Sequence, residues 1–407
     1  MQAFYRSLST DTRRVLGACF LAFFFNGMQT MMMGSFLPDM KAAYLLSDTQ
    51  AGLLLSGHSA GNLVACFVSG LVPLWLGRRR AIVTLSAVAA LGFAMMLLSG
   101  NPLWLMIAFV FTGTGRGSIS NFNNNTVNRV TGGSPTASNL LHSFFAVGAI
   151  SAPLIFLLAD RLAGWRAAVL VIVALGAAVS FNFSRQRFQD DRPDRRDKAQ
   201  KSMVFLRNRT FLILAGMMFF YLCSEYAING WLVTFLQNKP ALLTQFAAAG
   251  EGAETALKTY SQTMATLLWA IILAGRLTSA LLARRWPQKL LMMLDSAGAL
   301  FFFALLLLGS RLILVTAAIA GLGFCMAGIC PMIYSDASFI TNRYPLGTST
   351  LLAVGSVGAI IMPSLVGVMA DAYGFTGGMS GILFGVGALL ALSVLNFVLK
   401  PRPVAEA

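Results

Sequence analysis

The sequence predicts an all-α membrane protein, with twelve transmembrane helices in two pseudo-symmetric six-helix bundles. Three observations predict it. First, 57% of the 407 residues are hydrophobic and 11% charged, whereas a soluble globular chain carries about 25% charged residues. Second, the apolar residues come in runs of membrane-spanning length, about 17–25 residues. The runs are continuously apolar and do not alternate, which argues against a barrel. Third, short motifs of the first half recur in the second.

The spans fall at 15–38, 51–76, 81–99, 103–128, 138–159 and 166–184, then at 210–236, 259–283, 288–308, 312–334, 348–370 and 378–398. The first run is long enough to span and lacks a small-residue cleavage site, so it reads as a retained helix and not a signal peptide. It carries Asn26 and Gln29. The second carries His58 and leads into the loop "GLVPLWLGRRR" (Gly70–Arg80). The fourth ends in "NFNNNTVNRV", with five asparagines in ten residues, and also holds Arg116. The fifth carries His142. Between the sixth and seventh lies "SRQRFQDDRPDRRDKAQKSMVFLRNR", whose charge density and Pro193 suit a solvated linker. The expected organisation is a bundle over 1–184, a cytoplasmic linker over 185–209 and a second bundle over 210–407. The seventh span holds Tyr221, Glu225 and Asn229; the eighth holds Trp269 and Arg276; the ninth holds Asp295.

The net charge of +15 raises the question of nucleic acid. Its placement answers against it. With the N-terminus inside, 22 of the 30 Lys and Arg fall in cytoplasmic loops and tails. They include Arg78 to Arg80, nine residues from Arg185 to Arg209, Arg343, Lys400 and Arg402. Outer loops hold six: Lys41, Arg161, Arg166, Lys239, Lys258 and Arg311. Arg116 and Arg276 lie inside spans. This asymmetry places both termini in the cytoplasm, as expected for the cytoplasmic membrane of a bacterium. The basic patches then orient the chain and touch anionic lipid. All five cysteines fall inside spans and read as small packing residues. The two histidines are too far apart to suggest a metal site, and no cofactor motif is present.

The halves repeat. "LLHSFFAVGAISAPLIFLLAD" (Leu140–Asp160) matches "LLAVGSVGAIIMPSLVGVMAD" (Leu351–Asp371), sharing V-G-A-I-x-x-P at an offset of 210 residues. A weaker match joins "FFFNGMQTMMMG" (Phe23–Gly34) to "FFYLCSEYAING" (Phe219–Gly230), which places Gln29 on Glu225. Parallel six-helix repeats are built around an axis normal to the membrane, with the substrate site at mid-depth.

Twelve spans, a basic central loop and duplicated halves resemble the major facilitator superfamily. The loop Gly70–Arg80 is similar to that superfamily's signature at Gly70, Gly77, Arg78, Arg79 and Arg80, residues the resemblance places at a cytoplasmic gate. Leu74 occupies the position of the signature's Asp. Within the superfamily, "NLLHSFFAVGAISAP", "FFYLCSEYAINGWLVTFL" and "WAIILAGRLTSALL" resemble the fucose-permease-like sugar transporters. Members of that branch often have acids in the first and fourth spans. Here Asn26, Gln29 and Ser118 stand near those places. The resemblance implies a secondary active transporter of a small polar solute such as a sugar, taken up with protons by rocking of two bundles. It further implies a functional monomer whose partners are its solute and the bilayer.

The polar residues inside spans are the candidates for that work. At 100° per residue, Arg116, Ser118, Ser120, Asn121, Asn124, Asn125 and Asn128 fill one face of the fourth span. Ile119, Phe122 and Thr126 fill the other, expected to meet lipid. Asn121 and Asn124 then line a cavity or join helices, since amides suit both tasks. Glu225 is the most central acid. A carboxyl out of water can take a proton, which makes Glu225 the first candidate for coupling and Asp295 the second. The alternative for Glu225 is an ion pair with Arg276 or Arg116. Tyr221 and Asn229 share its side of the helix, and Asn229-Gly230 is a place where the helix could break. Trp269 offers a plate to sugar C–H faces, and Arg276 offers donors to hydroxyls or a carboxylate. His142 and His58 could each line the solute path or relay a proton, with His142 a solute-binding candidate, or be neutral hydrogen-bonded helix residues. No nucleophile constellation, phosphate loop or metal spacing suggests an enzyme. Export of an organic anion or drug-like solute, and solute sensing without transport, are the other readings.

Overall fold

The computed structural model describes residues 10–132, 134–186, 204–248, 250–341, 344 and 346–399. Residues 187–203 of the expected linker lie outside the described residues, as do Arg6, Arg343, Lys400 and Arg402. The chain divides into two compact units, Met1–Leu46 with Leu53–Asp194, and Ser47–Gly52 with Arg195–Ala407.

The helices of the first unit are α1 (Thr10–Tyr44), α2 (Asp48–Leu76, of which this unit takes the part from Leu53), α3 (Arg78–Met95), α4 (Pro102–Val130), α5 (Pro135–Ala163) and α6 (Trp165–Arg185). Local chemistry sets their ends. Asn101 caps α4, its side-chain oxygen accepting from the Leu103 and Trp104 amides at 2.9 and 3.3 Å, with Pro102 in the first turn. Gly77 (φ 76°) divides α2 from α3, and Gly164 (φ 74°) divides α5 from α6. Both positions need the left-handed region that glycine enters without penalty.

Helices α1 and α5 approach at backbone distance. A Cβ on Gly27 would lie 1.9 Å from the Phe145 carbonyl oxygen, and one on Gly148 would lie 2.0 Å from that of Phe24. Small residues permit such crossings where lipid supplies no hydrophobic drive between helices.

The second unit contains a 3-10 turn (Val204–Arg207) and α7 (Arg209–Gln237), α8 (Pro240–Ala247), α9 (Ala253–Leu282), α10 (Gln288–Leu308), α11 (Leu312–Met326), α12 (Ile329–Asp336), α13 (Ser338–Thr341) and α14 (Leu346–Val398). Helix α14 turns at Gly374 (φ 74°, ψ 171°), so it carries both the eleventh and the twelfth spans. Gly164 and Gly374 stand at the repeat's offset and make the same turn. The close crossing repeats too, because a Cβ on Gly358 would lie 2.4 Å from the Phe219 carbonyl oxygen. Lys239, after α7, is buried with 4% exposure. Its ammonium donates to the Leu307 carbonyl at 2.7 Å and sits 5.1 Å from the Phe235 ring centre. Burial lowers its pKa below the ordinary lysine value.

One local expectation is corrected and one refined. Helix α7 runs unbroken through Asn229 and Gly230. The tenth span, expected over 312–334, holds as one run, Leu312–Ile340, but its hydrogen-bond ladder is interrupted between α11 and α12, where Ala327 and Gly328 keep right-handed helical dihedrals. Pro331 supplies the reason. It has no N–H to donate to the Ala327 carbonyl four residues earlier, and its ring crowds that carbonyl.

Candidate functional site

In the first unit the polar side chains form a chain of hydrogen bonds. Arg116 on α4 donates from Nε to Thr30 Oγ1 on α1 at 2.7 Å, and from Nη1 to Asn62 Oδ1 on α2 at 3.3 Å. Thr30 donates to the Asn26 carbonyl at 2.7 Å. Gln29 Nε2 donates to Asn26 Oδ1 at 2.8 Å, while Gln29 Oε1 is buried with no hydrogen-bond partner. Asn26 and Gln29 are both buried. Thus Asn26, Gln29 and Arg116 come together, joined by Thr30 and Asn62. Sequence patterning did not single out these last two. Asn62 lies one turn after His58, and that spacing was the available signal.

The asparagine face extends from Arg116 along α4. Asn121, Asn125 and Asn128 are exposed, and Ser120 and Asn124 are half-buried. The opposite face does not meet lipid as expected. Ile119, Phe122 and Thr126 are 1%, 7% and 6% exposed, because α4 turns that face into its own bundle. Asn123 is fully buried and donates to the Ile119 carbonyl at 2.7 Å. Asn121 Nδ2 donates to Ser69 Oγ on α2 at 3.0 Å, and Asn124 Nδ2 to the Ser120 carbonyl at 3.0 Å. Asn124 therefore keeps its carbonyl oxygen for another donor, while the Asn121 amide also meets the Cys66 thiol.

His58 is buried, with Nδ1 2.9 Å from Thr112 Oγ1, so it bridges α2 and α4. His142 is exposed, its ring edge-on to Phe23 at 5.5 Å. In the basic loop, Arg79 donates to the Ser184 carbonyl near the end of α6. Burial first, and the charge of Arg129 second, lower the pKa of Arg78. A Cβ on Gly70 would touch nothing within 4 Å, so its small size answers no close packing within the unit.

In the second unit the Tyr221 side chain hydrogen-bonds Glu225, and the charge of Arg276 reaches both Tyr221 and Cys330. Tyr221 and Trp269 are buried; Glu225, Asn229 and Arg276 are half-buried. Arg276 Nε is buried and has no hydrogen-bond partner. Tyr221, Glu225 and Arg276 thus gather with Cys330, which sequence spacing did not single out. Asp295 lies apart from them, beside Ser279 and Gly328. Among the described residues, no group of three or more His, Cys, Asp or Glu side chains could hold a metal ion.

Membrane-length helices carrying polar side chains mark a multi-pass membrane protein, and the family match makes it a transporter of a small molecule and not an enzyme. The family profile of the Major Facilitator Superfamily matches residues 19–339. The chain belongs to the major facilitator superfamily. No curated protein sequence matches it. Among solved structures it is similar to the nucleoside transporter NupG, with TM-score 0.75 and 14% identity over 96% of this chain and 100% of that one. It is similar to a bacterial homologue of the human lysosomal transporter Spinster, in an inward-facing and unoccupied conformation. There the TM-score is 0.74, with 15% identity over 95% and 97% of the two chains. The E. coli fucose:proton symporter FucP gives TM-score 0.58 and 18% identity over 95% and 98%. At these identities the likeness establishes the fold.

The exposed Asn121 and half-buried Asn124 carry a prediction. Asn121→Leu and Asn124→Leu lower transport and the apparent solute affinity, while membrane-inserted protein stays near wild-type amounts. Each loses a hydrogen-bonding group, worth about 0.5–1.5 kcal/mol in contact with solute. Solute-protected thermal unfolding and vesicle uptake measure both. Normal affinity with a lowered melting temperature would assign these amides to helix packing instead.

Proposed function

We propose that the chain takes up a small hydroxylated solute, such as a sugar, together with protons, by alternating access. One observation carries the reading. The first bundle presents neutral amides around a single anchored cation, while the second holds a carboxyl bonded to a tyrosine. Amides and hydroxyls both donate and accept, which suits a solute rich in hydroxyls. Asn26, Gln29, Arg116, Asn121 and Asn124 bind solute in the first bundle; Tyr221, Asn229, Trp269 and Arg276 do so in the second. Glu225 takes the proton. Gly70, Gly77 and Arg78 to Arg80 form the cytoplasmic gate. The protein works as a monomer in a bacterial cytoplasmic membrane, with both termini inside. Its structural neighbour FucP is a fucose:proton symporter, which agrees in kind with this reading.

A second reading is transport of an organic anion. The buried Arg276 Nε without a hydrogen-bond partner favours it, since guanidinium pairs well with carboxylates. Purified full-length protein in liposomes, offered labelled sugars, nucleosides and organic anions with and without an imposed proton gradient, tests both. Gradient-driven uptake of a neutral hydroxylated solute supports the first reading. Uptake restricted to anions, or solute binding without movement, overturns it.

A further inference from the structure

The interrupted ladder in the tenth span lies beside an acid that the proposed coupling pair does not use. Asp295 sits on α10, seven residues past its Gln288 end, or about 10 Å along the axis. A Cβ placed on Gly328 would lie 2.9 Å from Asp295 Oδ2 and 2.6 Å from Ser279 Oγ. The carboxylate of α10 and the hydroxyl of α9 therefore close on one point, at the backbone of Gly328. Only a residue without a side chain leaves both oxygens in place. Pro331 removes the N–H that would bond the Ala327 carbonyl, so the ladder is interrupted beside this same point while the backbone stays helical.

The surrounding groups supply no countercharge. Among the described residues no Lys, Arg or His pairs with Asp295, which makes no hydrogen bond. From α11 the Cys325 thiol faces it. On α10 itself, Lys289 is committed to the Asn396 and Leu399 carbonyls at 3.0 and 3.4 Å. On the α14 side, Asn396 holds Asp336 of α12 at 2.9 Å, and Ser393 holds Ser296 at 2.9 Å. On α9, Arg276 lies one turn before Ser279 and directs its charge to Tyr221 and Cys330.

We propose that Asp295, with the Ser279 hydroxyl where both oxygens close on Gly328, is a second proton-binding site, separate from Glu225. An anion without a countercharge at this depth is costly, and one proton on the carboxyl removes the charge. A hard metal cation takes about six or more oxygens; this point offers one carboxylate, one hydroxyl and nearby carbonyls. The site rests on the proton-coupled reading for its purpose, though its chemistry needs no solute.

The test therefore uses none. The full-length protein in liposomes is treated with dicyclohexylcarbodiimide, which attacks protonated carboxyls in apolar surroundings, and the labelled peptide is identified by mass spectrometry. We expect labelling at Asp295 that falls as the pH is raised from 5 to 9, by about tenfold per unit above its midpoint. Ser279→Ala shifts that midpoint, Glu225→Gln leaves the label in place, and Asp295→Asn removes it. An unlabelled Asp295, labelling flat across this range, protection by sodium at constant pH, or loss of the label in Glu225→Gln would overturn the proposal. If no solute is transported but the label behaves as stated, the proton site stands and the solute reading falls.

Discussion

Glu225→Gln abolishes accumulation of solute against its gradient and spares exchange of solute across the membrane. Uphill uptake in liposomes drops to the level of empty vesicles, whereas counterflow of labelled for unlabelled solute persists. A coupling carboxyl must bind and release a proton in each cycle. Glutamine keeps the shape and can still accept the Tyr221 hydrogen bond, but it is fixed in a neutral state. Exchange needs binding and rocking without net proton release, so it survives. A structural ion pair predicts a different result. Removing one partner of a buried pair leaves a charge uncompensated and costs about 3–5 kcal/mol. The variant would then lose folded protein, and the double change Glu225→Gln with Arg276→Gln would recover it. Wild-type uphill uptake by the single variant would remove Glu225 from the coupling role and turn attention to Asp295 and the exposed His142.

Much of the fold was legible because a bilayer imposes one dominant constraint, a run of apolar residues of sufficient length. That constraint reads out helices, and the twelve runs appear as helices at or near their expected positions. It does not read out what interrupts them. The interrupted ladder of the tenth span had a signal in Pro331, but a single proline inside an apolar run also occurs where helices continue: Pro153 sits inside α5 and Pro363 inside the part of α14 before Gly374. The orientation of α4 was half legible. Its period separated the amide face from the Phe122 face, yet periodicity cannot tell lipid from neighbouring helix, since both are apolar.

The candidate site was less legible for a related reason. Which side chain meets Arg116 depends on helices far apart in the sequence, and nothing about Thr30 or Asn62 marks them as its partners. By contrast, a repeated motif carries three-dimensional content. V-G-A-I-x-x-P predicted that Gly148 and Gly358 occupy equivalent places, and the crossing distances bear this out. The same offset joins Gly164 to Gly374, a pair outside the shared motif.

Gly148→Leu is accordingly expected to be among the most destabilising single changes in the chain. The glycine's place holds the Phe24 carbonyl 2.0 Å from where a Cβ would stand, with the Phe24 carbonyl carbon at 2.9 Å and the Met28 amide at 3.0 Å. These are backbone atoms of α1, so no rotamer change relieves the clash and the two helices must part. Overpacking that side chains can absorb costs about 1–3 kcal/mol; here the cost exceeds about 3 kcal/mol, and the reciprocal contact at Gly27 is lost with it. Thermal unfolding in detergent should show a melting temperature lowered by many degrees, or no folded protein at all. Gly358→Leu follows the same course less severely, its contact to Phe219 being 2.4 Å. Gly17→Leu is the control, because a Cβ there meets nothing within 4 Å and leucine is the better helix former by about 1 kcal/mol. If Gly148→Leu melts with Gly17→Leu and not far below it, the repeated motif does not set the helix crossing. In that case the shared glycine reflects composition alone, since glycine is frequent in membrane helices.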